Sequence, residues 1–271
     1  MSRSTPQPAG LSITRSRQAP TRVFAKLTCR PRSNKALALV FSPLSEDTLL
    51  TTPRTLYPRH AFVMRQIGNP PALDEAMARL VADVFGARGI GIKDADASTG
   101  SKDFLERILG LIRGTGFTVA IFSEDTRDTA MANIALELGF ASMCGKPLVV
   151  VKSKAAKAPS DLTRTDWIEY DAGDENRFRR KLGQALDELD QIALFTADLL
   201  DLALAAPSMD CAVAFERASK AFLLTANSRF LDAAEEIRRR LDAANKGDDI
   251  ADLDRVRDEV GLFIRQGRRT L

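Results

Sequence analysis

The chain has 271 residues, with 39 basic against 36 acidic side chains and a net charge of +3. This length can bury a core and carry an appended second unit, and an apolar fraction of 45% is ordinary for a soluble protein. One histidine, His60, and three distant cysteines, Cys29, Cys144 and Cys211, leave no metal-ligand spacing, argue against a disulfide framework and a Ser-His triad, and fit a reducing cytoplasm.

The basic excess is local. No acid precedes Glu46, whereas Arg3, Arg15, Arg17, Arg22, Lys26, Arg30, Arg32 and Lys35 do, and the remainder is mildly acidic. A nucleic-acid-binding body would carry a basic face, so nucleic acid is expected only through this N-terminal segment. The first 34 residues, rich in Ser, Pro and Arg, read as disordered. A basic tail, an over-long gene start and an organelle transit peptide are the readings open for them. Ala36–Phe41 reads as an added edge strand, and Leu49–Pro58 as a turn-rich connection.

Ala61–Arg65 reads as the first strand of a sheet. Gly68-Asn69-Pro70-Pro71 breaks the chain, and Ala72–Ala87 shows helical spacing through Met77, Leu80, Val81 and Val84. Gly89–Lys93 is a second strand. Gly86, Gly89 and Gly91 lie between a helix and a strand, whereas a dinucleotide loop needs strand, glycines, helix in that order; they read as helix-stop and turn residues. A loop containing Asp94 and Asp96 follows, then a helix from Ser101 to Arg113, apolar at Phe104, Ile108, Leu111 and Ile112.

Phe117–Phe122 is a short β-branched and aromatic run that suits a buried strand, as does Leu148–Val151. Between them lies a helix that Asp128 or Thr129 can cap, with Gly145 suited to the left-handed position at its end and Pro147 beyond. From Ala130 to Ala141 it is apolar on every side except at Asn133 and Glu137, which stand four apart on one face. That pattern predicts a buried helix. The two polar residues mark either its solvent side or a pocket, because burying a carboxylate unpaired is costly. Lys152–Pro159 reads as a basic loop and Asp166–Tyr170 as a last short strand. The preceding glycine spacing that a phosphate loop requires is absent before Gly145-Lys146. Alternating strands and helices predict a doubly wound α/β fold with a five-stranded parallel sheet in the order 2-1-3-4-5.

A long helix begins near Asp174. Phe178, Leu182, Ala185, Leu189, Ile192, Thr196, Leu199 and Ala203 form a heptad seam. Asp198 and Asp201 interrupt its apolar part, which is too short for a membrane span. Helices follow over 208–226, 228–245 and 249–266, with Ser208, Asn227, Ser228 and Gly247 as caps; Arg238-Arg239-Arg240 reads as a solvated face. The expected organisation is a basic segment over 1–58, an α/β domain over 59–190 and a helical domain over 191–271.

The run Asn133-Ile-Ala-Leu-Glu137-Leu-Gly139-Phe-Ala141, followed by Gly145-Lys-Pro and a valine-rich strand, resembles the TIR-like nucleotide-binding proteins of bacteria and the nucleoside 2-deoxyribosyltransferases. Ala158–Leu162, Ile168–Tyr170 and Phe62-Val63-Met64 look like that family too, so the resemblance covers about 61–189. Where the family has an Asp after the strand, this chain has Ser123, with Glu124 and Asp125 next, and the aromatic residues usual before the Glu are replaced by Ala135-Leu136. The resemblance implies a flavodoxin-like, TIR-like fold and an N-glycosidase acting on NAD or a related nucleotide, with a part in bacterial defence signalling. Glu137 would be its catalytic carboxylate; Asn133, Ser123, Arg65, Asp94 and Asp96 would bind substrate. It implies NAD as a substrate rather than a cofactor, no metal, no membrane, and activity in a homo-oligomer, which the heptad seam would support. The alternatives are a non-catalytic nucleotide-sensing module whose helical domain mediates assembly, and an interaction protein in which Glu137 is structural. Geometry places Arg65 and Ser123 at the carboxyl ends of adjacent strands, so these residues and Glu137 are expected to line one cleft. Arg65 would meet a phosphate there, or pair with Asp94 or Glu124.

Overall fold

A computed structural model describes residues 52–53, 55–95, 104–157, 167–206, 210–244 and 251–271. The expected strand at 36–41, the cap at Ser101, the loop residue Asp96, and Ser208 and Gly247 lie outside them. Five strands, β1 (Tyr57–Met64), β2 (Gly91–Asp94), β3 (Thr115–Phe122), β4 (Leu148–Ser153) and β5 (Trp167–Tyr170), form one sheet in the order 2-1-3-4-5. Every neighbouring pair is parallel, with Val63 opposite both Asp94 and Val119. This is the flavodoxin-like doubly wound topology expected from the alternation of elements, and its strand order reverses between β1 and β3. β4 runs on through Lys152 and Ser153, which the sequence placed in a loop.

Side chains alternate across the sheet and define two layers. Ala61, Val63, Val119, Ile121, Val149 and Val151 point to one face, covered by α1 (Ala72–Ala87) and the first half of α4 (Glu175–Ala205). Phe62, Met64, Ala120, Phe122 and Val150 point to the other, covered by α2 (Phe104–Gly114) and α3 (Asp128–Met143). Gly145 takes the left-handed conformation at φ 62° that ends α3. Phe104, at the start of α2, is exposed. α3 corrects the expectation of a helix buried all round. It packs through a stripe of Ile134, Leu138 and Ala141, flanked by the partly buried Met131 and Phe140, and leaves Leu136 and Met143 half in solvent. A helix lying on one face of a sheet buries one stripe, whatever its composition.

α4 opens on Asp174, whose carboxylate accepts the Arg177 amide hydrogen at 3.0 Å. It then runs unbroken across 190–191, where a domain boundary was expected. Phe178, Leu182 and Leu189 of the seam enter the core over the sheet. Farther along, Ala197, Leu200 and Ala203 pack with α5 (Cys211–Thr225), α6 (Arg229–Ala244) and α7 (Ala251–Thr270). Thr196, the polar interruption, is buried and donates its hydroxyl to the Ile192 carbonyl at 2.7 Å. Most of the seam is therefore covered within the chain, by the sheet and α1 at its start and by the helices farther along, while Ile192 is exposed. α5 is capped by Asp210, whose carboxylate accepts from the amides of Ala212 and Val213. Asn227 accepts from the Arg229 amide at the start of α6. The end of α5 touches β1 and β3 at their amino-terminal side: a Cβ on Gly116 would lie 2.6 Å from the Leu223 carbonyl oxygen. Among the described residues no helix is long and apolar enough to cross a membrane.

Candidate functional site

In parallel sheets the carboxyl ends of the strands carry the ligand-facing loops, and here the loops after β1 and β3 are knitted together. Gln66 is buried; its amide donates to the Asn69 carbonyl at 2.7 Å and its oxygen accepts the Arg127 amide hydrogen at 3.0 Å. The Arg127 guanidinium donates to the carbonyls of Ile67 and Gly68. Gly68 and Asn69 both take left-handed conformations, at φ 69° and 49°, which suit glycine and asparagine. Ser123 is 3% exposed. Its amide donates to the Thr126 hydroxyl at 2.8 Å, and that hydroxyl donates to Asp74 Oδ2 at 2.8 Å. Asp74 is fully buried in the first turn of α1, and its Oδ1 has no hydrogen-bond partner of good geometry. Burial raises its carboxyl above the usual range; the Ser123 and Thr126 hydroxyls pull it back, and the charges of Asp125 and Glu124 add to the rise.

Beside this web lies a cleft of about 420 Å³, within the range of roughly 300–1,000 Å³ common for small-molecule sites. Val63, Ile92 and Ile121 make its floor, Ala78, Val81 and Ala82 of α1 its wall, and Arg65, Asp94, Glu75 and Arg79 supply charge. Arg65 pairs with Asp94 at 3.5 Å, one of the two partners expected for it, and both side chains are mostly buried. Glu124, the other, meets the Ser153 hydroxyl instead, which holds its carboxyl below the usual range.

Glu137 and Asn133 stand elsewhere. Arg65 follows Val63 onto the α1 side of the sheet, whereas α3 covers the opposite side. Among the described residues, the lining of the Arg65 cleft includes neither Glu137 nor Asn133 nor Ser123. The expected single cleft is thus divided: Arg65 with Asp94, Ser123 with Asp74 and Thr126, and Glu137 near Asn133 on α3. Asn133 is exposed and Glu137 half-buried. Burial alone pushes the Glu137 carboxyl up to about 7, and no hydrogen bond or ion pair holds it among the described residues. An uncompensated carboxyl of that kind marks a functional candidate, because a purely structural acid at such depth normally has a partner.

Lys152 is a further polar group that the sequence did not single out. It is 4% exposed at the carboxyl end of β4, pairs with Glu169 at 3.2 Å and lies over the Trp167 ring at 5.1 Å. Gln66, Asp74 and Thr126 were missed as well; the only local signal was the pair Asp74-Glu75 at the start of a helix leaving a strand. Among the described residues no group of three or more His, Cys, Asp or Glu is placed to hold a metal ion. No family model matches the chain, and neither a curated protein nor a solved structure matches it.

Proposed function

We propose that the chain cleaves the bond between ribose and base in NAD or a related nucleotide, with Glu137 as the carboxylate at the anomeric carbon. The observation that carries this reading is the half-buried Glu137 on the helix leaving β3, without a countercharge among the described residues. Breaking the ribose–nicotinamide bond returns an electron pair to the pyridinium nitrogen, and nicotinamide leaves as a neutral base. The sugar is left with oxocarbenium character, which an ionised Glu137 stabilises or captures; water then supplies the hydroxyl and releases a proton. A carboxyl titrating at about 7 is ionised in half the molecules at neutral pH, so turnover should rise from pH 6 to pH 8. Asn133, one turn earlier on α3, would meet a ribose hydroxyl. Nicotinamide release from NAD by the full chain, compared with Glu137→Gln, tests the proposal.

A second reading, nucleotide sensing without cleavage, is favoured by one observation: the ligand-sized cleft at Arg65 lies on the sheet face opposite Glu137. In either reading, a homo-oligomer would use the outer face of α4, where Leu194, Phe195 and Leu202 are more than half exposed, because most of the seam is occupied within the chain. Sedimentation velocity of the wild type and Phe195→Ser measures that association.

A further inference from the structure

A second cavity lies away from the carboxyl ends of the strands, where the end of α2, the turn from α3 to β4, and α5 meet. Its volume is about 80 Å³, enough for a small oxyanion with a water or two and too little for a nucleoside. Thr52, Pro53, Phe215 and Leu223 close it, and Ser219 offers a hydroxyl. Three cations line it, Arg113, Lys146 and Lys220, against one carboxylate, Glu216. The Lys146 ammonium donates to the carbonyls of Arg113 at 3.0 Å and Thr115 at 2.6 Å, so it is fixed in position at the end of α2. No ion pair joins Lys146 or Lys220 to a carboxylate among the described residues, although Glu216 stands four residues before Lys220 on α5. Gathering like charges around a small cavity raises the energy of the empty protein, and an anion of matching size lowers it.

We propose that this cavity is a binding site for a phosphate group, held by Lys220, Lys146, Arg113 and Ser219. Such a ligand would bridge α5 to α2 and to the turn before β4, and so fasten the helical part to the amino-terminal side of the sheet. Its binding is coupled to a proton. Burial lowers Lys146 to about 7, and Lys220 and Arg113 push the same way, while Cys144 and Glu216 oppose them. Burial also raises the Cys144 thiol above its ordinary range. A bound anion returns the proton to Lys146, so binding should be tighter below pH 7 than above it.

Thermal unfolding of the full chain, with inorganic phosphate, sulfate or 5′-AMP against sodium chloride at matched ionic strength, tests the site. Millimolar phosphate and sulfate are expected to raise Tm by about 2–4 °C beyond chloride. Sulfate, which does not titrate in this range, should give the larger rise at about pH 6 than at about pH 8. A rise with 5′-AMP equal to that with phosphate assigns the ligand as a phosphoryl group on a larger molecule; a rise with the free ions alone assigns free phosphate. Lys220→Ala should abolish the rise, while Lys154→Ala, at an exposed residue elsewhere, should keep it. Calorimetric titration of the wild type with sulfate should show one site. Tm shifts equal to those in chloride, or a full rise in Lys220→Ala, would overturn the proposal.

Discussion

Asp74, in the first turn of α1, accepts a 2.8 Å hydrogen bond from Thr126, 52 residues later in the loop after β3. That bond spans the point where the strand order reverses, and the Thr126 hydroxyl is itself held by the Ser123 amide. The carboxylate is buried, and its position at a helix amino terminus offsets part of the cost. Asp74→Ala removes the acceptor and should cost about 1–3 kcal/mol. Asp74→Asn keeps an acceptor and removes a group that burial holds protonated to higher pH than usual. Because the folded pKa is raised, the wild type loses stability as pH rises through the carboxylate range, so Asp74→Asn should equal or exceed it at pH 8. Urea unfolding at pH 5 and pH 8 measures both; an Asn variant as damaged as the Ala variant would contradict the role assigned to the charge.

Glu137 gives a pH signature of the same sign. Its carboxyl titrates at about 7 in the folded chain against an ordinary 4.5, so the folded state holds the proton longer. Wild-type stability should therefore fall as pH rises from about 4.5 to about 7, and level off above. Glu137→Gln should lack that fall and be more stable at pH 8 by about 1–3 kcal/mol, with no advantage at pH 4. A variant that gains stability while losing turnover is the expected mark of a functional rather than a structural carboxylate. Equal pH profiles for the two proteins would show Glu137 to be solvated.

Gly116 tests how the helical part meets the sheet. A Cβ there would lie 2.6 Å from the Leu223 carbonyl oxygen and 3.1 Å from its carbonyl carbon, both backbone atoms of α5. Gly116→Ala must push α5 away from β3, at a cost of about 1–3 kcal/mol. Differential scanning calorimetry would show a lowered Tm; an unchanged value would mean that the helix shifts without cost.

The Arg65–Asp94 pair separates the two functional readings. If a nucleotide phosphate takes the guanidinium, Arg65→Ala should weaken binding about tenfold or more, and Asp94→Asn, which removes a competitor, should not weaken it. Calorimetric titration with NAD and ADP-ribose measures this. Unchanged affinity in Arg65→Ala would remove this cleft as the nucleotide site and, with it, the observation behind sensing alone.

Much of the fold was legible because its signals are local. The uninterrupted run at Phe117–Phe122, the start of the long helix near Asp174 and the left-handed Gly145 each follow from a few adjacent residues. The extent of α3's exposure was not legible: beside Asn133, Glu137 and Ser142 its outer side is mostly Ala, Gly, Leu and Met, too little polar contrast to show how narrow the buried stripe is. The site was read in part. Glu137 stood out as the one acid in an apolar helix, and the Arg65–Asp94 pair was one of the alternatives foreseen. The Asp74–Thr126 contact depends on residues far apart in the chain, and the placing of Glu137 and Arg65 on opposite faces depends on which layer each helix joins. Neither is written in a local pattern.

The most direct measurement is nicotinamide release from NAD by the purified full chain and by Glu137→Gln, followed by chromatography at pH 6 and pH 8. The proposed chemistry predicts release by the wild type, faster at pH 8, and a loss on the order of a thousandfold in the variant, with its folding and nucleotide affinity intact. Release by Glu137→Gln at the wild-type rate would contradict the role of Glu137; tight NAD binding with no release by either protein would leave the chain a sensor.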